Sequence, residues 1–166
     1  MNRIIQSTIQ TLKKSHELLT TLNDDQFGNA SVSPYYSSIG SHIRHIYDFY
    51  DCALTVTDGC VDLTARKRIT AIENSCDSAI EAFATIIHRL KLLDTLNSKK
   101  IVVIDDLGMG KLEINYTYEA LLAQGNSHTI HHYAIINYIL DRLNITIEDS
   151  DFGYNPTTPK KVTTLN

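Results

Sequence analysis

Cysteine is scarce in this chain, positive charge is nowhere concentrated, and no apolar run is long. Each shortage removes a class of protein. The three cysteines, Cys52, Cys60 and Cys76, are odd in number and none has Cys-x-x-Cys spacing, so neither a disulfide framework nor a thiolate zinc site is indicated. Thiols used this way stay reduced in cytosol. The formal net charge is −4, and the one short basic stretch, Arg66-Lys67-Arg68, is too small to neutralise a phosphate backbone, which argues against nucleic acid as a partner. No apolar run approaches the ~20 residues needed to cross a bilayer. The opening residues Met1-Asn2-Arg3-Ile4-Ile5-Gln6-Ser7 meet polar side chains too often for a signal peptide. The expectation is a cytoplasmic protein with no membrane partner. Internal repeats and low-complexity tracts are also missing.

The chain itself has 166 residues, 43% of them hydrophobic and 20% charged, enough for one domain with a real core. Four segments carry a helical period. In the first, Ile5, Ile9, Leu12, Leu19 and Leu22 recur every three or four residues, ending near Asn23-Asp24-Asp25. A second starts at a cap, Ser37 or Ser38, and runs through Ile39, Ile43, Ile46, Phe49, Tyr50 and Ala53 to Thr57-Asp58-Gly59. The third is a long stripe from about residue 67 to 96 through Ile69, Ile72, Cys76, Ile80, Phe83, Ile87, Leu90 and Leu93.

The period then changes. Ile101-Val102-Val103-Ile104 is β-branched throughout, and Leu112, Ile114 and Tyr116 alternate with polar residues beyond Asp106-Leu107-Gly108-Met109-Gly110, which predicts a short hairpin. The fourth helix follows, with Leu121, Leu122, His128, His132, Ile135, Ile139 and Leu143 on one side and Gly125 inside it, marking a kink or a close approach. The expected fold is all-α, a four-helix bundle with a short β-hairpin before the last helix. Its domain is residues 1–143, and residues 144–166 form a polar C-terminal tail.

Histidine placement carries the functional signal. His128 and His132 lie one turn apart on the apolar face of the fourth segment, the spacing at which two imidazoles can grip one ion. Two buried neutral imidazoles need partners for four ring nitrogens, and a metal satisfies one on each. His42 and His45 lie in the second segment. Summing the apolar directions there places His42 nearer the centre of the face, so helical phase selects His42 as the third ligand. His16 sits beside an apolar face and His88 off one, and both read as ordinary surface or core histidines.

The segments Ser38-Ile39-Gly40-Ser41-His42-Ile43-Arg44-His45-Ile46-Tyr47-Asp48 and Ser127-His128-Thr129-Ile130-His131-His132 resemble the two motifs of the DinB-like superfamily of metal-binding four-helix proteins. The resemblance extends, by element order, over residues 1–143. It implies a ligand histidine six residues after Ile39, which is His45, together with His128 and His132. His42 and His131 are then partners behind the ligands or alternative ligands. Where many members continue with Arg-Gly-Gln, this chain has Tyr133-Ala134-Ile135, so the substrate contact of that arginine is not expected.

Three neutral imidazoles suit zinc or nickel, with iron a further candidate. Three protein ligands leave a coordination position open, as in catalytic rather than structural sites. The resemblance implies a thiol S-transferase using a low-molecular-weight thiol, or a small-molecule hydrolase; metal or ligand binding without turnover is the alternative. Arg44 and Tyr133 are the substrate-binding candidates, Arg66 and Arg68 further anion-binding ones, and Asp48 and Glu73 further acid–base ones. A homodimer is also implied, and nine tyrosines leave aromatic surface for it. Because imidazole must be neutral to bind, occupancy is expected to fall below about pH 6.

Overall fold

Short polar side chains decide where the helices begin. Asn2 accepts the Ile4 N–H at 2.7 Å and opens α1 (Arg3–Thr21). Asn23 and Gln26 form a reciprocal capping box on α2 (Asp24–Phe27). Ser38 Oγ accepts the Ser41 N–H at 3.0 Å to start α3 (Ile39–Ala53). After β1 (Cys60–Asp62) and α4 (Thr70–Asn74), Ser75 caps α5 (Cys76–Leu92). Strands β2 (Lys100–Asp106) and β3 (Lys111–Thr117) follow, and Thr117 caps α6 (Tyr118–Arg142). Each cap satisfies an N–H that the first helical turn leaves without an intrahelical partner. These elements come from a computed structural model that describes residues 2–93 and 100–159.

The expected all-α four-helix bundle is not what forms. The described residues make six helices and a three-stranded mixed sheet, an α/β arrangement. The hairpin lies where the alternating residues placed it, with Lys100 opposite Thr117 and Asp106 opposite Lys111. The third strand is new. β1 runs parallel to β2 in the register Cys60–Val102, Val61–Val103 and Asp62–Ile104, and Val61, Ile101 and Val103 are buried. A strand of three residues is too short to show alternation in a sequence. The long third helix is also two helices. Ser75 is extended, at φ −136° and ψ 123°, and breaks the run between α4 and α5. The apolar stripe hides this break because Ile72 and Cys76 both remain buried four residues apart. Residues 94–96 of that expected helix lie outside the described residues, as do residues 160–166 of the expected tail.

α1 packs on α5 and α6, while α3 packs on α4, α5 and α6. Ile5, Leu12 and Leu19 meet Ile43, Ile46, Tyr50, Ile86, Leu90, Leu121, Ile136 and Leu140 in one core. Gly125 is a close approach. A Cβ there would lie 2.6 Å from the Phe49 ring, so its absence lets α3 and α6 meet at the level of the histidines. Gly40 plays the same part between α3 and α4, where a Cβ would lie 1.9 Å from the Glu73 carbonyl oxygen. Beyond α6 the polar segment folds back: Phe152 is buried and stacks on Tyr133 with ring centroids 4.5 Å apart. No helix among the described residues is long and apolar enough to cross a membrane.

Candidate metal centre

α3 and α6 cross with Phe49 against Gly125, and the histidines gather one turn away from that contact. His45 from α3 meets His128 and His132 from α6 with ring centroids 4.9 and 4.7 Å apart, and His128 lies 4.5 Å from His132. One nitrogen from each of the three falls within 4.8 Å of the others. Two zinc–imidazole bonds span at most about 4.2 Å, so small ring rotations bring the set to a common ion. His132 is buried, and His45 and His128 are half-buried.

His42 takes a different position. Its Nδ1 lies 2.9 Å from His132 Nδ1, and its Nε2 lies 2.8 Å from Ser37 Oγ. The structure thus brings His45, not His42, into the three-histidine group, and places His42 behind His132. Helical phase misjudged this pair because apolar direction reports burial, whereas the choice of histidine depends on which ring α6 meets. With Nδ1 of His132 engaged by His42, its Nε2 is the nitrogen left for another partner. His128 Nε2 is buried with no hydrogen-bond partner among the described residues. A buried imidazole nitrogen without a partner costs free energy unless something binds it. The donor set therefore fits a metal ion: three imidazoles, one with an orphaned nitrogen and one oriented from behind.

Electrostatics support the neutral form that ligation requires. Burial, with the nearby cations Arg66 and Arg44, pushes His45 down to about 4. Burial and the charge His45 would carry push His128 to about 4. His132, buried among four other imidazoles, falls to about 2, and burial with His131 lowers His42. Charging any one of these rings is opposed by desolvation first and by its neighbours second.

The other candidates are placed elsewhere. Arg44 donates to Asp48 and Glu73, each at 2.8 Å, so its guanidinium ties α3 to α4. Asp48 and Glu73 are occupied by the same pairs. Tyr133 is fully buried; its hydroxyl donates to the Thr11 carbonyl at 3.0 Å and bonds Ser15, on α1 rather than in the histidine group. His131 is exposed, its ring 5.3 Å from His132. His16 and His88 are exposed on α1 and α5. The thiols of Cys52 and Cys76 are pushed up to about 11 by burial, which suits packing rather than nucleophilic attack. Two contributors escaped the sequence reading. Ser37 holds His42, and Phe49 lies 5.2 Å from the His128 ring as an apolar wall. In the sequence Ser37 reads as a helix cap and Phe49 as a core position, and neither pattern signals a contact with histidine.

No protein-family model and no curated protein sequence matches this chain. The resemblance to DinB-like proteins therefore rests on the two histidine segments alone.

Proposed function

We propose that the chain binds one divalent transition metal, zinc or nickel first and iron next, through His45, His128 and His132, and presents a small molecule to it. The observation that carries this reading is the convergence of three ring nitrogens within 4.8 Å from two helices, with His128 Nε2 buried and without a partner among the described residues. A bound ion of this kind supplies Lewis acidity at an open position, where a thiol or a water becomes a better nucleophile.

The chain's own residues prepare that position. For His132 to ligate through Nε2, its Nδ1 must carry the proton and donate to His42 Nδ1. His42 then carries its proton on Nε2 and donates to Ser37 Oγ. This fixes the tautomer of two rings in sequence and orients the His132 lone pair. Phe49 closes the His128 side against water. Transfer of a low-molecular-weight thiol to an electrophile, the activity implied by the DinB-like resemblance, and hydrolysis of a small substrate both suit such a site. One observation favours a second reading, metal binding without turnover: Arg44, Asp48, Glu73 and Tyr133 are all committed to internal contacts and leave no acid or base among themselves. The homodimer implied by the resemblance belongs to the same proposal, and a monomer in sedimentation at micromolar concentration disposes of it.

Calorimetric titration of tag-free protein with zinc and nickel tests the site; one ion per chain is expected. A panel of thiol-transfer and ester or amide hydrolysis reactions, run after chelation and again after metal is restored, separates the two readings. Metal-dependent turnover supports the enzyme, and metal binding with none supports the second reading.

A further inference from the structure

The segment after β1 is strapped along α3. Asp62 Oδ1 accepts from the Thr64 N–H and hydroxyl at 2.8 and 2.6 Å, and Arg66 Nε donates to the Leu63 carbonyl at 3.0 Å. Lys67 Nζ pairs with Asp51 at 2.8 Å, and the Arg68 N–H donates to Asp48 Oδ1 at 3.2 Å. Asp48 and Asp51 are one and two turns beyond His45 on α3, so the strap ends beside the histidines.

A charge count along this strap leaves a surplus. Arg44 is matched by Asp48 and Glu73, and Lys67 and Arg89 by Asp51. Arg66 and Arg68 are exposed and have no carboxylate partner among the described residues. Both are near enough to act electrostatically on His45, and Arg66 also on His128, with Asp105 the opposing charge on His128. Positive charge beside a site for a dication opposes the ion, so these two arginines are counterproductive for metal binding alone. Arg68 also sits at φ +51°, a left-handed conformation that a long side chain adopts at a cost. Such strain concentrates where a side chain is held for use.

We propose that Arg66 and Arg68 form an anion subsite beside the three histidines, so that the small molecule taken there carries a carboxylate or phosphate group. The inference rests on the metal reading above. A guanidinium fork matches either oxyanion, and two of them beside an open coordination position hold a molecule at both ends. The anion restores the charge balance that the arginines disturb.

The test uses zinc-loaded, tag-free protein and two probes, 3-mercaptopropionate and the neutral 2-mercaptoethanol, compared by calorimetry. The acidic thiol is expected to bind at least about tenfold more tightly, a difference of about 1.4 kcal/mol. The double variant R66Q/R68Q should bring the two thiols level, and each single variant should lose part of the preference. Zinc affinity of the double variant should be unchanged or tighter, because two repelling charges have gone. K67Q, whose lysine is paired with Asp51, should keep the preference. No preference in the wild type, or one that survives R66Q/R68Q, overturns the subsite while leaving the metal reading intact. Weaker zinc binding in the double variant also overturns it, since the arginines would then be supporting the fold. Failure of the wild type to bind zinc removes the metal reading and this inference with it.

Discussion

His42 engages both of its ring nitrogens, one with His132 and one with Ser37, while His45 one turn along α3 meets His128 and His132 directly. The two histidines should therefore fail differently. His45→Ala, His128→Ala and His132→Ala each remove one of three protein bonds and are expected to abolish measurable zinc binding. His42→Ala leaves the three ligands in place but frees the His132 ring, and should weaken zinc by about 10–100-fold. His88→Ala, on the exposed side of α5, should change nothing. Calorimetry on these five variants reads all of it, and an empty site in His42→Ala with a filled one in His45→Ala would reverse the assignment. The pH response also belongs to these residues. Because burial holds His45 and His128 at about 4, against the ordinary histidine value of 6.5, the rings stay neutral in the folded chain well below pH 6. Zinc affinity should hold from pH 7 to about 5 and fall only nearer 4, lower than free imidazole predicts. The same shifts act oppositely on folding. A histidine whose folded pKa is depressed takes up protons on unfolding, so metal-free stability is lost as pH falls from about 6.5 toward 4. Denaturant melts at pH 7 and pH 5 check the sign, and a metal-free chain more stable at pH 5 would contradict it.

At the scale of elements, two glycines set how closely helices approach, and their variants should not behave alike. Gly40→Ala drives a Cβ into the Glu73 backbone carbonyl, which cannot step aside, and should cost at least about 1–3 kcal/mol. Gly125→Ala meets side chains instead, the Phe49 ring at 2.6 Å and the Tyr50 ring at 3.3 Å. Helix propensity would return about 1 kcal/mol, so its net effect on stability should be smaller. Pushing Phe49 aside, however, disturbs the wall beside His128, and zinc affinity should drop; thermal melts and zinc titration of the two variants separate these effects. Gly125 is legible in the sequence as a kink or a close approach, and the Phe49 ring 2.6 Å from its would-be Cβ selects the second. So are α1, α3, α6 and the hairpin, each carried by a long period or clear alternation. The α4–α5 break is not legible, since Ile72 and Cys76 keep the stripe in phase across Ser75. Nor is β1, whose three residues become a strand only because β2 lies beside them. Those two elements separate an α/β chain from the all-α bundle that periodicity suggests. The His128–His132 pair needs only one helix and could be read directly; periodicity cannot choose between His42 and His45, which depends on how α3 faces α6, and only the spacing of the DinB-like motif pointed to His45.

Across the whole molecule, the segment after α6 belongs to the packed structure. Phe152 is buried against Tyr133, Asn137 donates to its carbonyl at 3.3 Å, and Lys14 pairs with Asp149. Phe152→Ala should cost about 3–5 kcal/mol, and a variant that melts like the wild type would show that this segment adds nothing. A metal that binds only the folded chain stabilises it by mass action, about 2.7 kcal/mol at a hundred times Kd. For a chain of this size that raises Tm by roughly 5–10 °C, unlike the small effect expected for a surface ion. The central claim is that α3 and α6 together hold one ion, and elemental analysis of tag-free protein alongside its His45→Ala and His128→Ala variants tests it most directly. One transition-metal ion per wild-type chain, lost in both variants, is the predicted result. A wild type that carries no metal after purification and takes up none from zinc or nickel, or variants that keep a full complement, would contradict it.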